Sequence, residues 1–346
     1  KNQQKLLNKR NGLLKKLYQE KIIDKTTYQL SVLEELPQKP YDLPKIAPHL
    51  LQNVARRQEG TRVKTTVKFA LQNRVNQIAT QYYNQYRQSE IYNLAIIVVD
   101  VETRNILSYV GNSPTDKDHQ KDVDIITAPR STGSILKPLL YASMLDAGEI
   151  LPNTLVPDIP TQIAGYSPKN FDLTYDGAVP AHRALSRSLN IPSVLMLKDH
   201  GVYRFYDQLQ QFKLRDINKH PNHYGLSLIL GGAESNLWDL TKTYAGLTST
   251  LNYFTTHSAK YRTDEFKELN WLHGAKLDFG KESYDKKNLG AASIWLTYNA
   301  MKEVNRPEGD EAWKFYDSSL EVAWKTGTSF GFHDAWSVGY TGDGWG

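Results

Sequence analysis

The 346-residue sequence contains no cysteine. That absence excludes a disulfide framework, a thiolate metal site and cysteine-based nucleophilic catalysis. It fits an oxidising envelope compartment. Long hydrophobic runs are missing too: the longest, Leu94-Ala95-Ile96-Ile97-Val98-Val99, falls far short of a membrane span. No secretory leader is legible at Lys1, and the sequence opens in mid-pattern, as expected for a piece of a longer, membrane-anchored parent. Charge is nearly balanced, with 42 Lys and Arg against 37 Asp and Glu. With no helix-turn-helix or zinc-ligand pattern beside that small excess, nucleic acid is not an expected partner. The histidines form no His-Glu-x-x-His spacing, and Gly231-Gly232 lacks the Gly-Lys-Ser/Thr ending of a phosphate loop. Neither a metal nor a cofactor is therefore expected, and the glycine pair reads as a tight packing turn.

What is present is an ordinary globular composition rich in aromatic residues, with 21 Tyr and 7 Trp, which suits extended clefts and cores alike. The length suits one large domain or two smaller ones. Residues 1–36 read as one or two amphipathic helices carrying eight Lys/Arg against four Asp/Glu, a solvated face or a contact to an anionic surface. Pro37, Pro40, Pro44 and Pro48 mark an extended linker, taken to run over 37–66. A helix is expected over 67–86, then a hairpin from Leu94 to Asp100 and Asn105 to Val110. Helices and loops follow from Ser134 to about Met301, and a last β-rich region covers Val322-Ala323-Trp324-Lys325 and Ala335-Trp336-Ser337-Val338. Strands at both ends with helices between predict an α/β sandwich whose terminal strands share one sheet.

The chemistry is carried by Ser134-Ile135-Leu136-Lys137. On a helix, positions i and i+3 share a face, which brings a hydroxyl and an amine together. A serine hydroxyl needs a base to take its proton, and lysine serves only if neutral. That requires bringing its pKa from about 10.4 to near 7, roughly 4 kcal/mol, through burial and neighbouring cations. Pro138 follows at once, tolerable early in a helix, where it removes an N–H that would bond the Ser134 carbonyl.

Ser-x-x-Lys alone recurs by chance in chains of this length. Two further elements lift it out of coincidence: Ser188-Leu189-Asn190, 54 residues on, and Lys325-Thr326-Gly327-Thr328, 137 residues after Ser188. Ser-x-x-Lys, Ser-Asp-Asn and Lys-Thr-Gly, in this order, are the signature of penicillin-binding proteins and class A β-lactamases, and here Leu189 replaces the middle Asp, a position that varies across penicillin-binding proteins. Ser188 can relay a proton between Lys137 and a leaving amine, and the Asn190 side chain can hydrogen-bond a substrate amide. Lys325, Thr326 and Gly327 on an edge strand offer a cation, a hydroxyl and a position where substrate backbone can lie close, so that a peptide adds as an extra strand. The N–H groups of Thr328 and Ser134 then form an oxyanion hole.

The surrounding residues sharpen the match. Arg130-Ser131-Thr132-Gly133-Ser134-Ile135-Leu136-Lys137-Pro138-Leu139-Leu140-Tyr141 resembles the nucleophile segment of class A penicillin-binding proteins, especially the 1C type. Tyr166-Ser167-Pro168-Lys169-Asn170-Phe171-Asp172 and the stretch from Gly225 to Glu234 look like cleft and core segments of that family, and 323–336 like its third motif and following strand. The resemblance covers about Val67 to Tyr340. It implies the penicillin-binding transpeptidase (serine β-lactamase-like) fold, an antiparallel sheet flanked by helices, over 67–346. The first 36 residues look like the tail of a glycosyltransferase domain. The family's last sheet strand and C-terminal helix have no counterpart before Gly346, and His333 stands where the 1C type commonly carries Arg.

The implied activity is a DD-transpeptidase at the periplasmic face of the inner membrane, acting through an acyl-Ser134 intermediate. Its implied ligands are peptidoglycan stem peptides and β-lactams, with other cell-wall synthesis proteins as partners. The alternatives are a carboxypeptidase or β-lactamase-like hydrolase, and a silent sensor. A class A β-lactamase needs Glu-x-x-x-Asn after the Ser-x-Asn element, whereas Glu149 and Asn153 precede Ser188.

Overall fold

The computed structural model describes residues 2–36, 44–163, 165–303 and 321–341. The chain divides into two compact units, Lys1–Lys45 and Ile46–Gly346. In the first, helices Gln3–Gln19 and Lys25–Leu33 match the two amphipathic runs. Asp24 caps the second by accepting the Thr27 N–H, and Arg10 ties the pair together through the carbonyls of Val32 and Glu34.

In the second unit part of the expected linker is helical. Pro37 and Pro40 lie outside the described residues, but Pro48 opens helix Pro48–Arg57, which buries Leu50 and Val54. Proline fits there because a first-turn N–H has no intrahelical partner and the fixed φ is already helical. The expected hairpin forms between Ile96–Val99 and Ile106–Val110. Its two faces alternate as the strand period demands: Ile96, Val98 and Val110 pack on helix Phe69–Tyr86, while Val99 and Tyr109 join the cluster around Ile126. Gln72 from that helix accepts the Tyr109 N–H and donates to the Tyr109 carbonyl, standing in for a neighbouring strand.

The main core surrounds helix Lys137–Asp146, whose first eight residues are all buried. A helix apolar on every side belongs at a domain centre. Around it pack helices Asn190–His200, Val202–Gln211, Leu237–Thr256 and Ala291–Lys302. The last strands, Val322–Thr328 and Ala335–Thr341, form an antiparallel pair in register from Thr328↔Ala335 to Val322↔Thr341.

One expectation needs correcting. The first and last strand pairs do not hydrogen-bond to one another among the described residues. Between Ile96–Val99 and Ala335–Thr341 lies an apolar slot of about 480 Å³, floored by Leu237, Tyr244 and Thr248 of the long helix. Both edges flank this slot and do not meet among the described residues.

Candidate active site

Ser134 sits in a turn, not on a helix. Helix Lys137–Asp146 begins three residues later, and the Ser134 carbonyl accepts the Lys137 N–H at 3.2 Å. Pro138 occupies the first helical turn, where its missing N–H costs nothing. The turn is held from four directions. Residues Arg130–Ser131 pair with Glu234–Ser235, and Ser131 Oγ donates to the Gly231 carbonyl at 2.8 Å. Trp336 Nε1 donates to the Ser131 carbonyl at 2.7 Å, and the buried Tyr244 hydroxyl donates to the Ile135 carbonyl at 2.8 Å. Burial raises the Tyr244 pKa well above its ordinary value, so that hydroxyl stays a donor. The Gly231-Gly232 turn is the packing element expected: a Cβ on Gly231 would fall 2.8 Å from the Gly133 nitrogen.

The third element closes on this turn. A Cβ on Gly133, whose φ is +49°, would lie 2.6 Å from the Thr328 carbonyl oxygen and 2.7 Å from its nitrogen. A Cβ on Gly327 would lie 2.9 Å from the Thr132 carbonyl oxygen. The two backbones touch because neither glycine carries a side chain. Along the strand Lys325 and Gly327 point inward, while Thr326 and Thr328 are exposed.

Lys137 and Lys325 are both buried, and both converge on the Ser188 segment. Lys137 Nζ donates to the carbonyls of Ser188 at 2.7 Å and Leu189 at 3.1 Å, and to Asn190 Oδ1 at 2.8 Å. Lys325 Nζ donates to Ser188 Oγ at 2.8 Å and to the Thr326 carbonyl at 2.7 Å. The Ser188 hydroxyl therefore meets Lys325, while its carbonyl meets Lys137. Ser188 has φ +58°, an uncommon conformation for a residue with a Cβ. Asn190 Nδ2 donates to the Lys169 carbonyl at 2.9 Å, so the side chain expected to meet a substrate amide is internally bonded here. Ser134 Oγ has no hydrogen-bond partner among the described residues, and its side chain lines a cleft. Desolvation, and then the charge of Lys325, pushes the Lys137 pKa well below the ordinary lysine value. Desolvation pushes Lys325 down to about 7.

The cleft has a volume of about 860 Å³ and brings Ser134, Ser188, Asn190, Thr326 and Thr328 to one surface. Phe171 and Phe332 face each other across it, edge to face at 6.1 Å, both largely exposed. Over residues 94–344 the sequence matches the model of the penicillin binding protein transpeptidase domain. The chain belongs to this family. Among curated relatives, penicillin-binding protein 1C of Escherichia coli K12 is 29% identical over 335 residues, covering 95% of this chain and 40% of that protein. Penicillin-binding protein 1B of Vibrio cholerae is 25% identical over 354 residues, covering 96% of this chain and 44% of that protein. The transpeptidase-family chain thus spans less than half the length of these relatives. Its fold resembles the crystal structure of penicillin-binding protein 1A from Haemophilus influenzae, with TM-score 0.67 at 16% identity, covering 96% of this chain and 70% of that one.

Within this penicillin-binding fold, three contacts to the Ser134 turn are not legible in the sequence. Gly133 carried a signal, since glycine beside a turn often marks positive φ or close backbone approach. Tyr244 and Trp336 carried none, because their partners are backbone carbonyls 109 and 205 residues away. Glu149 is engaged elsewhere: its carboxylate takes His200 at 2.6 Å and pairs with Arg204, and it does not line the cleft. His333 is exposed at the end of the short turn Phe330–Phe332.

Proposed function

We propose that this domain is a peptidoglycan DD-transpeptidase of the bacterial envelope, and that Ser134 is its acylated nucleophile. The observation that carries the reading is the pair of buried lysines on one short segment, Ser188 to Asn190, beside an unbonded serine hydroxyl. A neutral Lys137 has two N–H donors for its three acceptors, so one of them must be released for its lone pair to turn to the Ser134 proton. The Ser134 oxygen then attacks the carbonyl of the penultimate D-Ala, and the oxyanion lies against the N–H groups of Ser134 and Thr328. Collapse breaks the C–N bond. The leaving D-Ala amine takes the Ser188 Oγ proton, which protonated Lys325, 2.8 Å away, replaces. An acceptor amine from a neighbouring strand attacks the ester and loses a proton through Ser188 Oγ to Lys325, while Ser134 leaves with the proton held on Lys137, so the cross-link forms and both lysines are reset.

A stem peptide runs along Lys325 to Thr328, where this strand has no second partner among the described residues. β-Lactams acylate the same oxygen. The engagement of Glu149 with His200 and Arg204 disfavours a β-lactamase-type deacylating role for it. The test is fluorescent penicillin labelling with and without an acceptor amine. A stable adduct lost in Ser134→Ala, together with cross-linked product from a stem-peptide donor, is expected. Rapid turnover of the drug, or an adduct that survives Ser134→Ala, overturns the proposal.

A further inference from the structure

Helix Asn190–His200 starts without a cap of its own, because the residue at that position is Leu189. The missing acceptor comes from another part of the chain. Asn170 Oδ1 receives the backbone N–H of Asn190 at 2.9 Å and of Ile191 at 3.3 Å. Asn170 Nδ2 donates to Asp158 Oδ1 at 2.7 Å and to the Thr174 carbonyl at 2.9 Å. Both lone pairs and both protons of the amide are thus used, and the side chain is only 2% exposed. Asp158 is equally buried, and its other oxygen accepts the Asp176 N–H at 3.0 Å.

We propose that Asn170 is a positioning residue for acyl transfer. It fixes the first turn of helix Asn190–His200, and so holds Ser188 O, Leu189 O and Asn190 Oδ1 on Lys137 Nζ. The inference rests on the reading of Ser134 and Lys137 given above. Only an amide supplies this arrangement: two acceptor sites toward the helix start and two donors toward a carboxylate and a carbonyl. Donation runs from the helix N–H groups through Asn170 to Asp158 and cannot be reversed at one position alone. The charged groups around the amide are Asp158, the flanking Lys169 and Asp172, the Asp176–Arg187 pair, and Lys137 beyond Asn190.

The test reads the rate of acylation by a fluorescent penicillin per labelled site, from pH 5 to 9, in the full chain. Asn170→Ala removes the hold on Asn190, and the rate per site is expected to fall about tenfold with a displaced pH limb, since Lys137 loses a charge-assisted acceptor. Asn170→Asp sets two carboxylates on one hydrogen bond, where they can keep it only by sharing a proton. Its rate relative to the parent is expected to be best preserved in acid and to fall away as pH rises. The double variant D158N/N170D reverses the polarity and restores a donor between the two positions. It is expected to return to within about threefold of the parent at neutral pH, the remainder reflecting the Thr174 carbonyl left without a donor.

The proposal is overturned if Asn170→Ala lowers only the fraction of protein labelled, with rate per site and pH profile unchanged. It is equally overturned if D158N/N170D is no better than Asn170→Asp. A failure of the Ser134 reading looks different, as an adduct that persists in Ser134→Ala.

Discussion

Replacing Gly133 by alanine tests whether the contact between the Ser134 turn and the Lys325 strand sets the reaction geometry. The added Cβ would stand 2.6 Å from the Thr328 carbonyl oxygen and 2.7 Å from its carbon and nitrogen. All three are backbone atoms, so no rotamer change relieves the overlap. Holding alanine at φ +49° costs about 1–2 kcal/mol, and overpacking of this kind about 1–3 kcal/mol more. Ordinary contact distance begins at 3.4 Å, so the strand must retreat by roughly 0.8 Å. A displacement near 1 Å at reacting groups can cost about 100-fold in rate.

The assay is the second-order rate of acylation by a fluorescent penicillin, measured beside the melting temperature. Gly148→Ala is the control, because Gly148 has φ +71° with nothing within 4 Å of its virtual Cβ. It should share the backbone strain, about 1 kcal/mol, and leave acylation unchanged. If Gly133→Ala acylates within a few-fold of the parent, or if Gly148→Ala slows acylation as much, the reasoning fails.

Lys325 should cost stability in a pH-dependent way. Its folded pKa of about 7 lies below the 10.5 of an exposed lysine, so the unfolded chain binds the extra proton between those values and stability rises with pH through that window. The gap corresponds to about 5 kcal/mol at most, present in full below pH 7. Lys325→Met should therefore abolish acylation yet melt higher than the parent at pH 6, with the advantage shrinking by pH 10; a constant difference in melting temperature would contradict this. Tyr244→Phe removes the donor to the Ile135 carbonyl, and is expected to cost about 1 kcal/mol of stability and to slow acylation several-fold. Unchanged kinetics in a destabilised Tyr244→Phe would mean the hydroxyl supports the core and not the turn.

Local features were legible in the sequence where local physics decides them. β-rich runs on either side of Glu102-Thr103-Arg104 marked the first hairpin, and the last β-rich region holds the second strand pair. Pro48 was misleading, since a proline cluster reads as a linker while a single proline also starts a helix well. The helix start was placed too early, because Ser-x-x-Lys looks the same in a turn as on a helix. The expected link between the first and last strand pairs is absent among the described residues, since pairing depends on which edges meet, a non-local matter. At the site the residue types were readable and their partners were not. Lys137 is held mainly by backbone carbonyls, which no side-chain motif encodes. Ser188 at φ +58° is a conformation that its residue type does not announce.

The interlocked glycines also bear on how such a domain could escape a drug. Gly133 and Gly327 fasten turn and strand so closely that neither can shift alone, and a side chain at either would disturb substrate and inhibitor together. Variation that separates the two ligands is left to the rim of the cleft. There Phe171, Phe330 and Phe332 project with most of their surface open, and a change of size rearranges little behind them. Selection for resistance should accordingly sample these aromatic positions and leave the two glycines fixed.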